Sequence, residues 1–172
     1  VIFGRDGGVP AMLDPTTLDG TNGFRLQSRL TLDAAASLRV GGAGDVNGDG
    51  YDDVVLTVWR ADADDSDATS AYVVFGKGET FAASVDFAAA DGAMGTRYQG
   101  AQPVQYFRAH LSDIATGIGD FDADGYADLA LRGAVVNDED VAGGAVSVMF
   151  GQGDPYPASQ QLGLLDAGRR LQ

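Results

Sequence analysis

Short apolar runs alternate along the chain with clusters of Gly and Asp, and sustained 3.6-residue periodicity is absent. The runs are rich in Val, Leu, Tyr and Phe, which is the pattern of short strands closed off by tight turns. They predict strands at Ser37–Gly42, Asp53–Trp59, Ala71–Phe75 and about Thr96–Gly100. A second set follows at Ser112–Gly117, Asp128–Arg132, Ala145–Phe150 and about Gly168–Gln172. Only Pro15–Asp19 and Val85–Ala90 read as single helical turns. The expected class is all-β.

The two sets are copies of one another. Val1-Ile2-Phe3-Gly4 returns as Val73-Val74-Phe75-Gly76 and again as Val148-Met149-Phe150-Gly151. Phe24-Arg25-Leu26-Gln27 is echoed by Thr96-Arg97-Tyr98-Gln99 and Arg169-Arg170-Leu171-Gln172. Gly44-Asp45-Val46-Asn47-Gly48-Asp49-Gly50-Tyr51 recurs as Gly119-Asp120-Phe121-Asp122-Ala123-Asp124-Gly125-Tyr126. The three landmarks share a period of 72 to 75 residues. Four antiparallel strands in a repeat of this length make a β-propeller-type blade. The expected organisation is therefore about two and a half blades: 1–27 as the last two strands of a preceding blade, 28–100 as one blade, and 101–172 as the next. So few blades leave apolar faces open, because each blade of a propeller is covered by its neighbours. The chain then reads as an excerpt of a longer protein or as a unit completed by further copies of itself.

Composition sharpens the chemistry. The 172 residues carry 25 acidic and 11 basic side chains, a formal charge of −14, yet 45% are apolar, enough for a core. A surface this negative repels phosphate and argues against nucleic acid as a partner. No apolar run is long enough to span a bilayer as a helix. With no cysteine there is no disulfide framework, thiolate metal site or cysteine nucleophile. No signal-peptide pattern is visible, and an opening on Val1 rather than Met suggests an earlier segment. Of the acids only Glu79 and Glu139 are Glu; the rest are Asp, the residue of turns, caps and hard-cation sites.

Those aspartates concentrate in a pattern, Asp-x-Asn/Asp-x-Asp-Gly-x-x-Asp, that supplies several oxygens from one sharply curved loop, as Ca²⁺ requires. In loop 45–53 the expected ligands are Asp45, Asn47, Asp49 and Asp53 with the Tyr51 carbonyl. In loop 120–128 they are Asp120, Asp122, Asp124 and Asp128 with the Tyr126 carbonyl. Gly50 and Gly125 allow the bend. Two Ca²⁺ ions are expected, the second loop binding more tightly because it offers four carboxylates against three. An EF-hand would need Glu at position twelve, where Leu56 and Leu131 stand, and a strand-like run follows in place of a helix.

These loops, together with Phe3-Gly4, Phe75-Gly76 and Phe150-Gly151, resemble the FG-GAP repeats of integrin α-subunit propellers and their bacterial relatives. The resemblance covers essentially the whole chain. It implies a calcium ion in the hairpin between a blade's first two strands, and a complete ring of seven blades. It also implies an extracellular or cell-surface role in adhesion, in protein or carbohydrate binding, or in scaffolding of exported proteins.

Other residues carry plainer roles. Asp62–Asp67 and Asn137–Asp140 read as solvated hairpin tips. His110, Ser112 and Asp113 lie too close on one strand for a triad, and no oxyanion hole is evident. Trp59 and Tyr156 are the candidates for a glycan platform, with burial the plainer reading for Trp59. Tyr51 and Tyr126 are expected beside the metal, and Phe3, Phe75 and Phe150 between blades. Arg25, Arg29, Arg97, Arg169 and Arg170 cluster near the repeat's fourth strand, where charge would blunt an open sheet edge. The leading functional expectation is a non-catalytic, calcium-stabilised propeller segment of an exported protein, serving adhesion, display or assembly. Its partners would be other blades of a parent chain, further copies of itself, or a surface protein or glycan. A lectin-like module is the alternative, and a scaffold for a calcium-dependent hydrolase or lyase comes third.

Overall fold

The computed structural model describes residues 1–8, 11–28, 37–59, 69–100, 115–137, 140–153 and 155–162. The predicted strand 168–172, the His110/Ser112/Asp113 group, the acidic run 62–67, Glu139, Arg29, Arg169, Arg170 and the Trp59 side chain lie outside what is described. Within it the chain is all-β. Ten strands run in order: β1 (Arg25–Gln27), β2 (Ser37–Gly44), β3 (Asp53–Trp59), β4 (Thr69–Val74), β5 (Ser84–Asp86), β6 (Gly95–Gly100), β7 (Ala115–Gly119), β8 (Asp128–Asn137), β9 (Asp140–Met149) and β10 (Ser159–Leu162). The two expected helical turns are single 3₁₀ turns, Pro15–Thr17 and Phe87–Ala89, capped by the Asp14 and Asp86 carboxylates, while Val85 and Asp86, expected within the second turn, belong to β5.

The strands form three sheets. In the largest, β2, β3, β4 and β6 make an antiparallel meander. In the next repeat β7, β8 and β9 do the same. There the β8–β9 hairpin is longer than expected: its ladder runs on to Asn137 opposite Asp140, through residues that read as loop in the sequence. β2 and β7 carry the same irregularity, a register shift at Gly42/Gly44 and at Gly117/Gly119, just before each acidic loop.

The fourth strand is not an open edge, contrary to the expectation from its arginines. β10, from the second repeat, pairs in parallel with β6, Ser159 opposite Arg97. One period earlier β5 pairs in parallel with β1, Ser84 opposite Arg25. Each repeat thus sends a short strand back to cover the outer strand of the one before. Arg97 is correspondingly half-buried, its guanidinium over the Tyr72 ring and bonded to Ser70 Oγ. The first residues obey the same geometry: Ile2 bridges Gly23 as Val74 pairs Gly95.

Alternation places the core. In β4, Ala71 and Val73 face one cluster while Tyr72 and Val74 face the other. β3 divides likewise, Val55 to one side and Leu56 and Val58 to the opposite one, so the apolar run Val54–Val58 is covered on both faces. The first cluster joins the two repeats, packing Val55, Val73, Phe75 and Tyr98 against Ala115, Leu129, Leu131 and Tyr156. Along this joint β2 and β7 nearly touch. A Cβ on Gly117 would overlap the Ala43 carbonyl, and one on Gly41 would lie 3.0 Å from the Ala115 oxygen. Only glycine permits that approach.

Candidate metal centre

Each acidic loop is the connection of an antiparallel hairpin, β2–β3 in the first repeat and β7–β8 in the second. Its curvature is held by the first aspartate. Asp45 Oδ1 accepts the Gly48 and Asp49 amides at 2.7 and 3.0 Å, and Oδ2 accepts the Gly50 amide at 2.9 Å. Asp120 repeats the arrangement, accepting Asp124 N at 2.9 Å and Gly125 N at 3.0 Å. The third acidic position also turns on itself, with Tyr51 N donating to Asp49 and Tyr126 N to Asp124. Gly50 and Gly125 adopt φ of 89° and 97°, as the bend requires. The neighbouring left-handed position holds Gly48 in one loop and Ala123, at φ 63°, in the other.

The last aspartate of each motif plays a different part. Asp53 is 2% exposed and braces the loop from below, Oδ2 accepting Val46 N at 2.9 Å and Oδ1 accepting Gly76 N at 2.7 Å. Asp128 does the same with Phe121 N at 2.6 Å and Gly151 N at 2.9 Å. These bonds tie the loop to the Phe-Gly turn that ends the third strand of the same repeat, which gives the Phe-Gly motif a physical reason. Burial pushes the Asp53 carboxyl up to about 7 against the pull of its two amide donors, and the neighbouring Asp49 and Asp45 charges add to the rise. Asp122 is also raised, first by desolvation and then by the Asp124, Asp128 and Asp120 charges.

Asp120, Asp122 and Asp124 bring one carboxylate oxygen each within 4.8 Å of one another, a grouping able to hold a metal ion. In the first loop the middle position is Asn47, whose Oδ1 accepts Asp49 N and whose amide donates to Asp49 Oδ2. Both donor sets are all oxygen, the chemistry a hard cation takes, but among the described residues three carboxylates converge only in the second loop, at Asp120, Asp122 and Asp124.

The tyrosines lock the loops to their surroundings. Tyr51 packs over Gly76 and Gly78, and Tyr126 over Gly151 and Gly153. Tyr126 also covers Gly48, so a ring of the second repeat rests on the loop of the first. Tyr156 is buried and donates its hydroxyl to the Val46 carbonyl at 3.0 Å. Its ring meets Phe75 edge-on with centroids 5.1 Å apart. It therefore forms no open platform, and its candidacy for glycan stacking falls. One period earlier Phe81 occupies the same place, stacked on Phe24 and tilted against Phe3. The 75-residue step from Phe81 to Tyr156 was the sequence signal for this joint. Phe75 is buried by it, whereas Phe150, expected in the same role, is 43% exposed, no described residue covering it as Tyr156 covers Phe75.

The chain matches no protein-family model, and no match emerges among the curated proteins or the solved structures. Among the described residues, no helix is long and apolar enough to cross a membrane.

Proposed function

We propose that the chain is a non-catalytic, calcium-binding segment of an FG-GAP-type β-propeller, with one Ca²⁺ in each acidic loop. The observation that carries this reading is the duplicate construction of the loops. The two sit on equivalent hairpins one period apart, each curved by its first aspartate and braced by its last onto a Phe-Gly turn. The Asp120, Asp122 and Asp124 oxygens of the second loop converge as a cation requires. The successive meanders, sharing an apolar joint and a returning strand, support reading each repeat as a blade.

In this reading the ions are structural. Each neutralises carboxylates that otherwise repel, and fixes the loop between a blade's first two strands. Near-millimolar extracellular calcium suits modules of modest affinity, which supports a location outside the cell or on its surface. Its role there is adhesion, display or assembly through further blades, from a parent chain or from copies of itself. The exposed side chains of Phe121 (66%) and Phe150 support assembly, because their counterparts Val46 (1%) and Phe75 are buried by the following repeat.

Calorimetric titration with Ca²⁺ tests the metal. Two sites are expected in the wild type and one in Asp124→Ala, with the Asp45 loop still competent. No binding at millimolar Ca²⁺ would sink the reading. Light scattering with calcium and with chelator tests assembly: a defined multimer that dissociates without the ion supports it, and a monomer in both conditions refutes self-assembly.

A further inference from the structure

The first acidic loop is gripped from outside its own repeat. Ala127 N donates to the Asp45 carbonyl at 2.8 Å, Gln152 N to the Val46 carbonyl at 3.0 Å, and Tyr156 Oη to that same Val46 carbonyl at 3.0 Å. All three donors belong to the second repeat, and Tyr156 lies 110 residues from the carbonyl it holds. Val46 sits between Asp45 and Asn47, so the grip fixes the backbone that aims both side chains. In the second loop the corresponding residue, Phe121, is exposed, and no described residue grips its carbonyl in this way.

From this we infer that Tyr156 is a positioning residue for the metal of the first loop, so that ion binding there and packing of the second repeat against the first form one linked equilibrium. This inference rests on the calcium reading above. Without an ion, the Asp45, Asp49 and Asp53 charges favour opening of the loop, and the grip opposes it. A loop held near its ion-binding shape loses less entropy when the ion arrives. By reciprocity, the ion strengthens the grip by the same factor. The metal site is thereby completed by a residue of the neighbouring repeat, and a joint between repeats becomes calcium-responsive.

The test uses the full chain carrying Asp124→Ala, which leaves the first loop to be titrated alone. In that background Tyr156→Phe removes the bond to the Val46 carbonyl together with the pairing to the Tyr98 hydroxyl, and the expected outcome is a roughly two- to tenfold weaker affinity for Ca²⁺. Tyr156 also contacts the Tyr98 hydroxyl, so Tyr98→Phe serves as the control. It removes the phenol pair but leaves the bond to Val46, and its affinity should stay within twofold of the background. Unchanged affinity in Tyr156→Phe, or an equal loss in Tyr98→Phe, overturns the inference while leaving the calcium reading intact. No binding in the background protein overturns both. A measurement without the tyrosine substitutions gives an independent check. Hydrogen exchange at the Ala127 and Gln152 amides should slow when Ca²⁺ is added, and rates indifferent to calcium would refute the linkage.

Discussion

Position 48 and its counterpart 123 offer a paired experiment, since the same left-handed turn is built once with Gly and once with Ala. Gly48→Ala meets two penalties. At φ 75° a Cβ costs about 1–2 kcal/mol, of which about 0.4–1 kcal/mol is recovered through the stiffer unfolded chain. The new methyl would also overlap the Tyr126 ring, lying 2.9 Å from Cδ1 and closer still to Cε1. Tyr126 is pinned over Gly151 and Gly153, so it cannot retreat freely, and overpacking of this kind costs about 1–3 kcal/mol. The sum is a destabilisation of about 1–4.6 kcal/mol, a fall of roughly 2–18 °C in Tm for a chain of this size. Ala123→Gly should do the reverse. Ala123 is exposed and already strained at φ 63°, so the change relieves about 1–2 kcal/mol and forfeits about 0.4–1 kcal/mol of chain entropy. A gain between zero and about 1.5 kcal/mol is expected. Both variants are compared with the wild type by thermal and urea unfolding in chelator. A silent Gly48→Ala would show that the Tyr126 contact yields, and a markedly destabilised Ala123→Gly would show that the left-handed turn is not where the strain lies.

Gly92→Ala should be among the most damaging single-methyl changes, costing more than about 2 kcal/mol in urea unfolding. Its φ is 90° and the added Cβ would overlap the backbone carbonyl of Tyr156, with the Ala158 nitrogen only 3.3 Å away. Gly20→Ala, facing the Phe81 carbonyl one period earlier, should behave alike, and a wild-type midpoint for either would refute the tight fit. The pH dependence follows from Asp53, whose folded carboxyl is raised to about 7. Between the unfolded value near 4 and about 7 the folded state binds the extra proton, so metal-free stability should fall as pH rises through that window. Calcium affinity should rise over the same interval as the carboxyl ionises. A chelated protein whose stability climbs from pH 4 to 7 would contradict the burial argument.

The all-β class, the repeat and most strands of the first meander were legible because their signals are local: period-two apolar runs and Gly/Asp punctuation. β3 appears with the bounds its Val-rich run predicts, Asp53–Trp59. Three features were not legible. β5 and β10 are short, and Ser84–Asp86 or Ser159–Leu162 announces a strand only once the outer strand of the preceding repeat is present to pair with. For the same reason the arginines of that outer strand suggested an open edge. The bracing roles of Asp53 and Asp128 were also hidden, because a motif spacing states which carboxylates share a loop and not which of them the Gly76 and Gly151 amides will claim. The grip of Tyr156 on the first loop was hidden too: the 75-residue step from Phe81 marks its place in the joint, but its hydrogen-bond partner is a backbone carbonyl, which leaves no trace in sequence.

Two opposing effects decide which loop fills first with calcium. The second loop has the extra carboxylate, Asp122 in place of Asn47, and the Asp124, Asp128 and Asp120 charges add to the desolvation that raises the Asp122 carboxyl. Relief of that repulsion favours binding there. Asp120, Asp122 and Asp124 are all exposed, however, so salt screens the advantage; the Debye length shrinks from about 10 Å at 0.1 M to about 3 Å at 1 M. The first loop has fewer charges but a pre-set backbone, gripped through the Asp45 and Val46 carbonyls, and pre-organisation by hydrogen bonds is far less sensitive to salt. At low ionic strength the Asp120 loop should therefore bind Ca²⁺ more tightly, and its lead should narrow or reverse in molar salt. Titrating Asp49→Ala and Asp124→Ala, each with one competent loop, at both ionic strengths measures this directly. Equal losses of affinity in the two variants would mean that charge governs both loops alike and that the grip on the first contributes nothing to its ion.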